Sequence, residues 1–138
     1  MKKLLAFVLA LSFLMSMSLV SAMADGEIQV GIVLPTKDEP RWIQDETRFA
    51  AILDQAGFTY QVLFSQGNVA TEKSNVETLI TKGMKVLIIC PHDATAVQST
   101  VEAAHEAGVT VISYDRLIND TIAIDYVEIG RASCRERV

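Results

Sequence analysis

Residues 25–127 predict an α/β fold, a doubly wound parallel sheet with strand order 2-1-3-4-5, on three observations. Apolar, β-branched runs of strand length alternate with segments of helical period, and each helical segment closes on a glycine. The apolar runs are also continuous rather than alternating with polar residues, as strands covered by helices on both faces require.

The first strand is expected over residues 28–34, and Pro35 ends it because proline cannot donate to a ladder. A helix follows over residues 40–56. Phe49, Ile52, Leu53 and Ala56 recur there at i, i+3, i+4 and i+7, and Gly57 stands where a left-handed C′ residue belongs. Residues 60–65 make the second strand. The second helix, residues 71–82, buries Val76, Leu79 and Ile80 and stops at Gly83, and residues 85–90 make the third strand. The third helix is expected to begin near Asp93, a good N-cap, to carry Val97, Val101 and Ala104 on one face, and to end at Gly108. The fourth strand spans residues 109–113, and a fifth starts at Asp125. Right-handed crossovers and the order 2-1-3-4-5 place strands one and three at the switch point, where open α/β sheets bind ligands. Three loops should therefore line a crevice: residues 35–42, 91–93 and 114–116.

Both ends of the chain differ from this unit. Met1-Lys2-Lys3 is a cationic start, residues 4–20 are apolar, and Ala22-Met23-Ala24 is an A-x-A site, so residues 1–24 are expected to be a signal peptide cleaved after Ala24. The competing reading is an uncleaved membrane anchor, against which the cleavage site and the polar Asp25-Gly26-Glu27 weigh. Cysteine is absent near the cleavage site, so a lipid anchor is not expected there and a periplasmic location fits best. Residues 128–138 are expected to be a non-native tail, with Glu128 at the junction. The codons ATC GGA AGA GCG TCG TGT AGG GAA AGA GTG spell residues 129–138, and that DNA resembles the adapter of short-read sequencing libraries. A genuine basic tail is the alternative. The natural chain is expected to continue beyond Val127.

Within residues 25–127, seven Lys plus Arg stand against fifteen Asp plus Glu, a net charge of −8. Phosphate binding needs clustered cations, so nucleic acid is not an expected partner. Cys90 is the one cysteine in this stretch, at the end of an apolar run, where a buried small hydrophobe is the expected role. Neither CxxC nor HExxH spacing occurs, so no metal site is expected. Neither GxGxxG nor GxxxxGK[ST] follows the first strand, and Gly31 lies inside it, which weighs against a nucleotide-dependent enzyme and leaves no cofactor or catalytic residue to assign.

Two motifs stand just past strand-like runs: Pro40-Arg41-Trp42 and Ser113-Tyr114-Asp115-Arg116. A carboxylate accepts from two vicinal hydroxyls, a guanidinium donates in a fixed fork, and an aromatic face covers apolar C–H surface. Together they suit a polar, uncharged, ring-shaped ligand. Two roles stay open for each motif. Trp42 either stacks on a ligand or packs in the core, and Asp115 and Arg116 either bind ligand or form a local ion pair. His92-Asp93 reads as a turn residue followed by a helix cap rather than an acid–base pair.

Residues 28–127 resemble the N-terminal lobe of the periplasmic monosaccharide-binding proteins of ABC importers, in particular the xylose-binding and multiple-sugar-binding group. The likeness is carried by Arg41-Trp42 after the first strand and by the stretch from Val76 to Gly83 before residues 86–89. Its most specific part is the segment from Glu102 to Gly108 followed by Val111-Ile-Ser-Tyr-Asp-Arg-Leu-Ile118. What the resemblance implies is one lobe of a two-lobed receptor that closes on a sugar such as xylose, glucose or galactose and presents it to an inner-membrane ABC permease. Arg41, Trp42, Asp115 and Arg116 match positions that contact sugar in that family, and Asp93 lies where the third-strand loop nears the cleft. A sensing role, docking on a chemoreceptor or sensor kinase, is the alternative; the effector domain of a sugar-responsive repressor is disfavoured by the signal peptide. Family members usually follow the fifth strand with Phe-Asp-Asn, and this chain departs there at Val127-Glu128-Ile129-Gly130.

Overall fold

The computed structural model describes residues 27–128. The expected leader, residues 1–24, and residues 129–138 of the expected foreign tail lie outside the described residues.

Five parallel strands form one sheet in the order β2-β1-β3-β4-β5, matching the order expected. They are β1 (Val30–Leu34), β2 (Tyr60–Phe64), β3 (Val86–Ile89), β4 (Thr110–Tyr114) and β5 (Tyr126–Glu128). Val30 stands opposite Tyr60 on one side and Val86 on the other, and Val86 stands opposite Thr110, so the strands end together along one edge. Three helices connect them: α1 (Pro40–Ala56), α2 (Val69–Thr81) and α3 (Gln98–Glu106).

Every residue of β1 is buried, as a central strand sandwiched between two helical layers must be. Successive side chains point to opposite faces and enter different cores. Val30, Ile32 and Leu34 join Trp42 of α1, Phe64 and Cys90; Val33 joins Val76 and Leu79 of α2 and Val101 and Ala104 of α3. Full burial of one such aliphatic side chain contributes roughly 1.5–3 kcal/mol, against about 0–1 for an exposed ion pair. The two apolar cores, not the surface charges, therefore hold the sheet. Gly31 serves close packing rather than a turn: a Cβ there would lie 2.6 Å from Met84 Sδ and 2.8 Å from Leu79 Cδ1. Its lack of a side chain lets α2 settle against β1.

Two elements differ from expectation. Helix α1 has the expected bounds, but its buried stripe is Trp42 and Asp45 with Phe49 and Leu53 packed beside them; Ile52 is 64% exposed and Ala56 is exposed. Apolar periodicity misses this face because a carboxylate occupies one of its positions. Helix α3 begins at Gln98 rather than near Asp93. Asp93 does cap, but it caps a turn: its Oδ1 accepts from the backbone N–H groups of Thr95 and Ala96, both at 2.8 Å, before the helix proper starts. No helix among the described residues is long and apolar enough to cross a membrane.

Candidate functional site

The carboxyl ends of β1, β3 and β4 bring the two motifs together. Pro40 sits in the first turn of α1, where its missing N–H costs nothing, and this fixes the helix start so that Arg41 and Trp42 stand at the crevice edge. At the end of β4 the chain turns sharply: Asp115 has φ 63° and the Arg116 N–H donates to Tyr114 O at 2.7 Å. Asp is among the few residues that tolerate this left-handed conformation.

That turn aims Asp115 at α1, where its Oδ1 accepts a hydrogen bond from Arg41 Nη2. The contact raises the Arg41 pKa still further above its ordinary value. Arg41 lies over Trp42, 4.6 Å from its ring centre, and Arg116 lies 5.8 Å from the same ring. Arg116 is held from behind, since its Nη1 donates to Pro91 O at 2.8 Å and to His92 O at 3.4 Å. Four of the five expected site residues thus form one cluster. Trp42 is only 1% exposed and packs in the core below it, with both guanidinium groups over its ring. Asp93 stands apart, its Oδ1 engaged by Thr95 and Ala96, whose N–H groups hold its carboxyl below the ordinary carboxylate pKa.

An open cleft of about 450 Å³ adjoins this cluster and shares Arg116 with it. Pro35, Thr36, Asp38 and Glu39 line it from the β1 loop, Gln66 and Gly67 from the β2 loop, and His92 from the β3 loop. The β1 and β3 loops were expected from topology. The β2 loop was not, although Gln66-Gly67 adopts left-handed φ at both residues and brings Gly67 beside the His92 ring.

Two buried carboxylates escaped sequence reasoning. Asp45, 3% exposed, accepts from Arg48 Nη1 at 3.0 Å and stands 3.8 Å from Arg41 Nε. The Tyr114 phenol faces it, and burial followed by this negative charge pushes that pKa up to about 12. Glu72, 1% exposed, accepts from the His92 backbone N–H at 2.8 Å and from Ser65 Oγ at 3.3 Å. Burial raises its pKa against the lowering effect of those two donors. The available signal was a charged residue on a helix stripe otherwise apolar: Glu72 precedes Val76 and Leu79, and Asp45 falls between Trp42 and Phe49. Among the described residues no cluster of three or more His, Cys, Asp or Glu is placed to hold a metal ion.

The switch-point crevice is thus bordered by an Arg–Asp pair and a second guanidinium, both guanidinium groups lying over one indole. Residues 30–132 match the periplasmic binding protein domain, and the chain belongs to that family. It is 35% identical over 126 residues to the multiple sugar-binding periplasmic receptor ChvE of Rhizobium radiobacter, covering 91% of this chain and 36% of the receptor. It is similar to a carbohydrate transporter solute-binding protein of Chloroflexus aurantiacus solved with D-glucose, at 68% identity and TM-score 0.69, over 72% of this chain and 29% of that one. A solute-binding protein of Clostridium phytofermentans solved with β-D-glucose is 33% identical at TM-score 0.69, over 72% and 31% of the two chains. The chain thus spans about a third of the length of these relatives.

Proposed function

We propose that this chain is the N-terminal lobe of a periplasmic solute-binding protein that captures a monosaccharide, such as glucose, xylose or galactose, for uptake through an ABC importer. The observation that carries this reading is the Arg41–Asp115 pair with Arg116 over Trp42, at the sheet edge where this fold receives ligands. Asp115 would accept from vicinal hydroxyls, and the two guanidinium groups would donate in fixed geometry. Stacking on Trp42 requires Arg41 to leave the ring, and Asp45, already 3.8 Å from its Nε, offers it a second carboxylate. Asp93 is proposed as a more distant contact through its loop. The binding step needs no bond-making chemistry, cofactor or metal. Export follows from the leader expected over residues 1–24.

Sugars are well hydrogen-bonded in water, so affinity comes from enclosing preorganised groups away from solvent, and a second lobe supplies that closure. Titration calorimetry with D-glucose on the complete gene product tests the site. Asp115→Ala should weaken binding at least about tenfold, the equivalent of 1.4 kcal/mol. Retention within about threefold overturns the assignment. Residues 25–127 alone should show no measurable affinity, and tight binding by that piece would refute the need for closure.

A sensing role is the second reading, because the Rhizobium radiobacter relative is a receptor by name. Neighbouring permease and ATPase genes would favour uptake, and a neighbouring sensor gene alone would favour signalling.

A further inference from the structure

We infer that Glu72 is a positioning residue for the crevice: its buried carboxylate ties the β2 loop to the β3 loop and, through His92, sets the carbonyls that orient Arg116. The inference deepens the sugar-binding reading above and rests on it.

Glu72 lies in the first turns of α2, on the stripe continued by Val76 and Leu79, and it is 1% exposed. Its Oε2 holds two donors from different segments, the His92 N–H at 2.8 Å and the Ser65 hydroxyl at 3.3 Å. Ser65 in turn donates its N–H to Leu34 O at 2.9 Å, so the ends of β1, β2 and β3 meet at this one carboxylate. The His92 residue held by its N–H on one side offers its carbonyl to Arg116 Nη1 on the other, and the preceding Pro91 carbonyl receives the shorter bond from the same nitrogen. Arg116 then reaches the Trp42 ring. The chain from Glu72 to the indole is therefore continuous, through one backbone residue and one guanidinium.

Packing alone does not account for a carboxylate here. A fully buried charge is costly unless its hydrogen bonds are needed, and a helix that had only to cover the sheet would carry Leu or Met at this stripe position. Glu72 Oε1 makes no hydrogen bond and Oε2 carries both contacts, so the side chain is placed by reach toward His92 rather than by full satisfaction of its own polar atoms.

The test compares Glu72→Gln, Glu72→Asp and Glu72→Leu in the complete gene product by hydrogen exchange of residues 88–94 and by calorimetry with D-glucose. Glu72→Gln keeps an acceptor at the same reach and should keep both exchange protection and affinity within about threefold of wild type. Glu72→Asp is one methylene short, so the amides of His92 and Asp93 should exchange about tenfold faster or more and glucose should bind about tenfold weaker or worse, while residues 30–34 keep their protection. Glu72→Leu should behave as Glu72→Asp does; if it does not fold, the Asp and Gln pair decides alone. Unchanged exchange at His92 and Asp93 in Glu72→Asp overturns the inference, and so does faster exchange with unaltered glucose affinity. Loss of the sugar-site reading shows itself separately, as Asp115→Ala binding glucose like wild type while the exchange response to Glu72→Asp persists.

Discussion

Arg41 and Asp115, 74 positions apart in sequence, hydrogen-bond across the crevice and close a polar roof over the indole of Trp42. The Arg41 side chain is 52% exposed, and a pair so open to solvent contributes only about 0–1 kcal/mol to stability. Its consequence is geometric. The pair fixes where a carboxylate and a guanidinium stand relative to an aromatic face, and it joins the end of β4 to the start of α1.

Asp45 is the buried support of that arrangement. Replacing it with Ala leaves Arg48 without its acceptor, takes away the carboxylate 3.8 Å from Arg41 Nε and leaves the Tyr114 phenol facing a void. Asp45→Ala should cost about 1–3 kcal/mol, read as a lower urea midpoint at unchanged slope. An unchanged midpoint would mean that Asp45 is not a support.

Tyr114 should titrate late. Burial, then Asp45, raises its phenol from the ordinary 10 to about 12. A raised pKa on a neutral acid means that the fold favours the protonated form, so this contribution is fully present below pH 10 and is lost as pH climbs toward 12. Tyrosinate absorbance should lag in the native protein, and stability should fall less steeply over that range in Tyr114→Phe. Identical alkaline profiles for the two proteins would contradict the assignment.

Cys90 should be chemically silent. It is fully buried behind the crevice, and desolvation pushes its thiol up to about 12. In a Cys134→Ser background, a thiol reagent at pH 8 should label nothing in the native protein and one thiol in denaturant. Labelling at the rate of a free thiol would show that the β3 end opens readily.

Gly31→Ala tests the approach of α2 to the sheet. The new methyl would meet Met84 Sδ and Leu79 Cδ1 at less than contact distance, so the core must shift, at a cost of about 1–3 kcal/mol. A neutral result in chemical denaturation would mean that both side chains swing aside freely.

The strands and the first two helices were legible in sequence because apolar periodicity and glycine stops are local signals, and the sheet order and three crevice loops followed from the connection rules of parallel sheets; the start of α3 was misplaced because Asp93 caps a turn. That Arg41, Trp42, Asp115 and Arg116 come together was legible because both motifs follow strands whose carboxyl ends share one edge of the sheet, whereas the core position of Trp42 was only one of the two roles its sequence left open. Asp45 and Glu72 were not, because each sits at a position where periodicity expects an apolar residue and its partners lie on other elements. The β2 loop was missed likewise, since Gln66-Gly67 becomes part of the cleft only once β2 lies beside β1.

The left-handed backbone at Asp115 also bears on how this lobe can change over evolutionary time. Only glycine, asparagine and aspartate enter that conformation with little strain, and a β-branched residue there is a genuine outlier. Drift toward a new ligand is thereby channelled: the position can lose its charge to asparagine or its side chain to glycine, while valine, isoleucine and threonine are closed to it unless the turn is rebuilt. Diversification of this crevice should run through the β1 loop, with Asp115 and the left-handed Gln66-Gly67 turn of the β2 loop as its slow-moving fixtures.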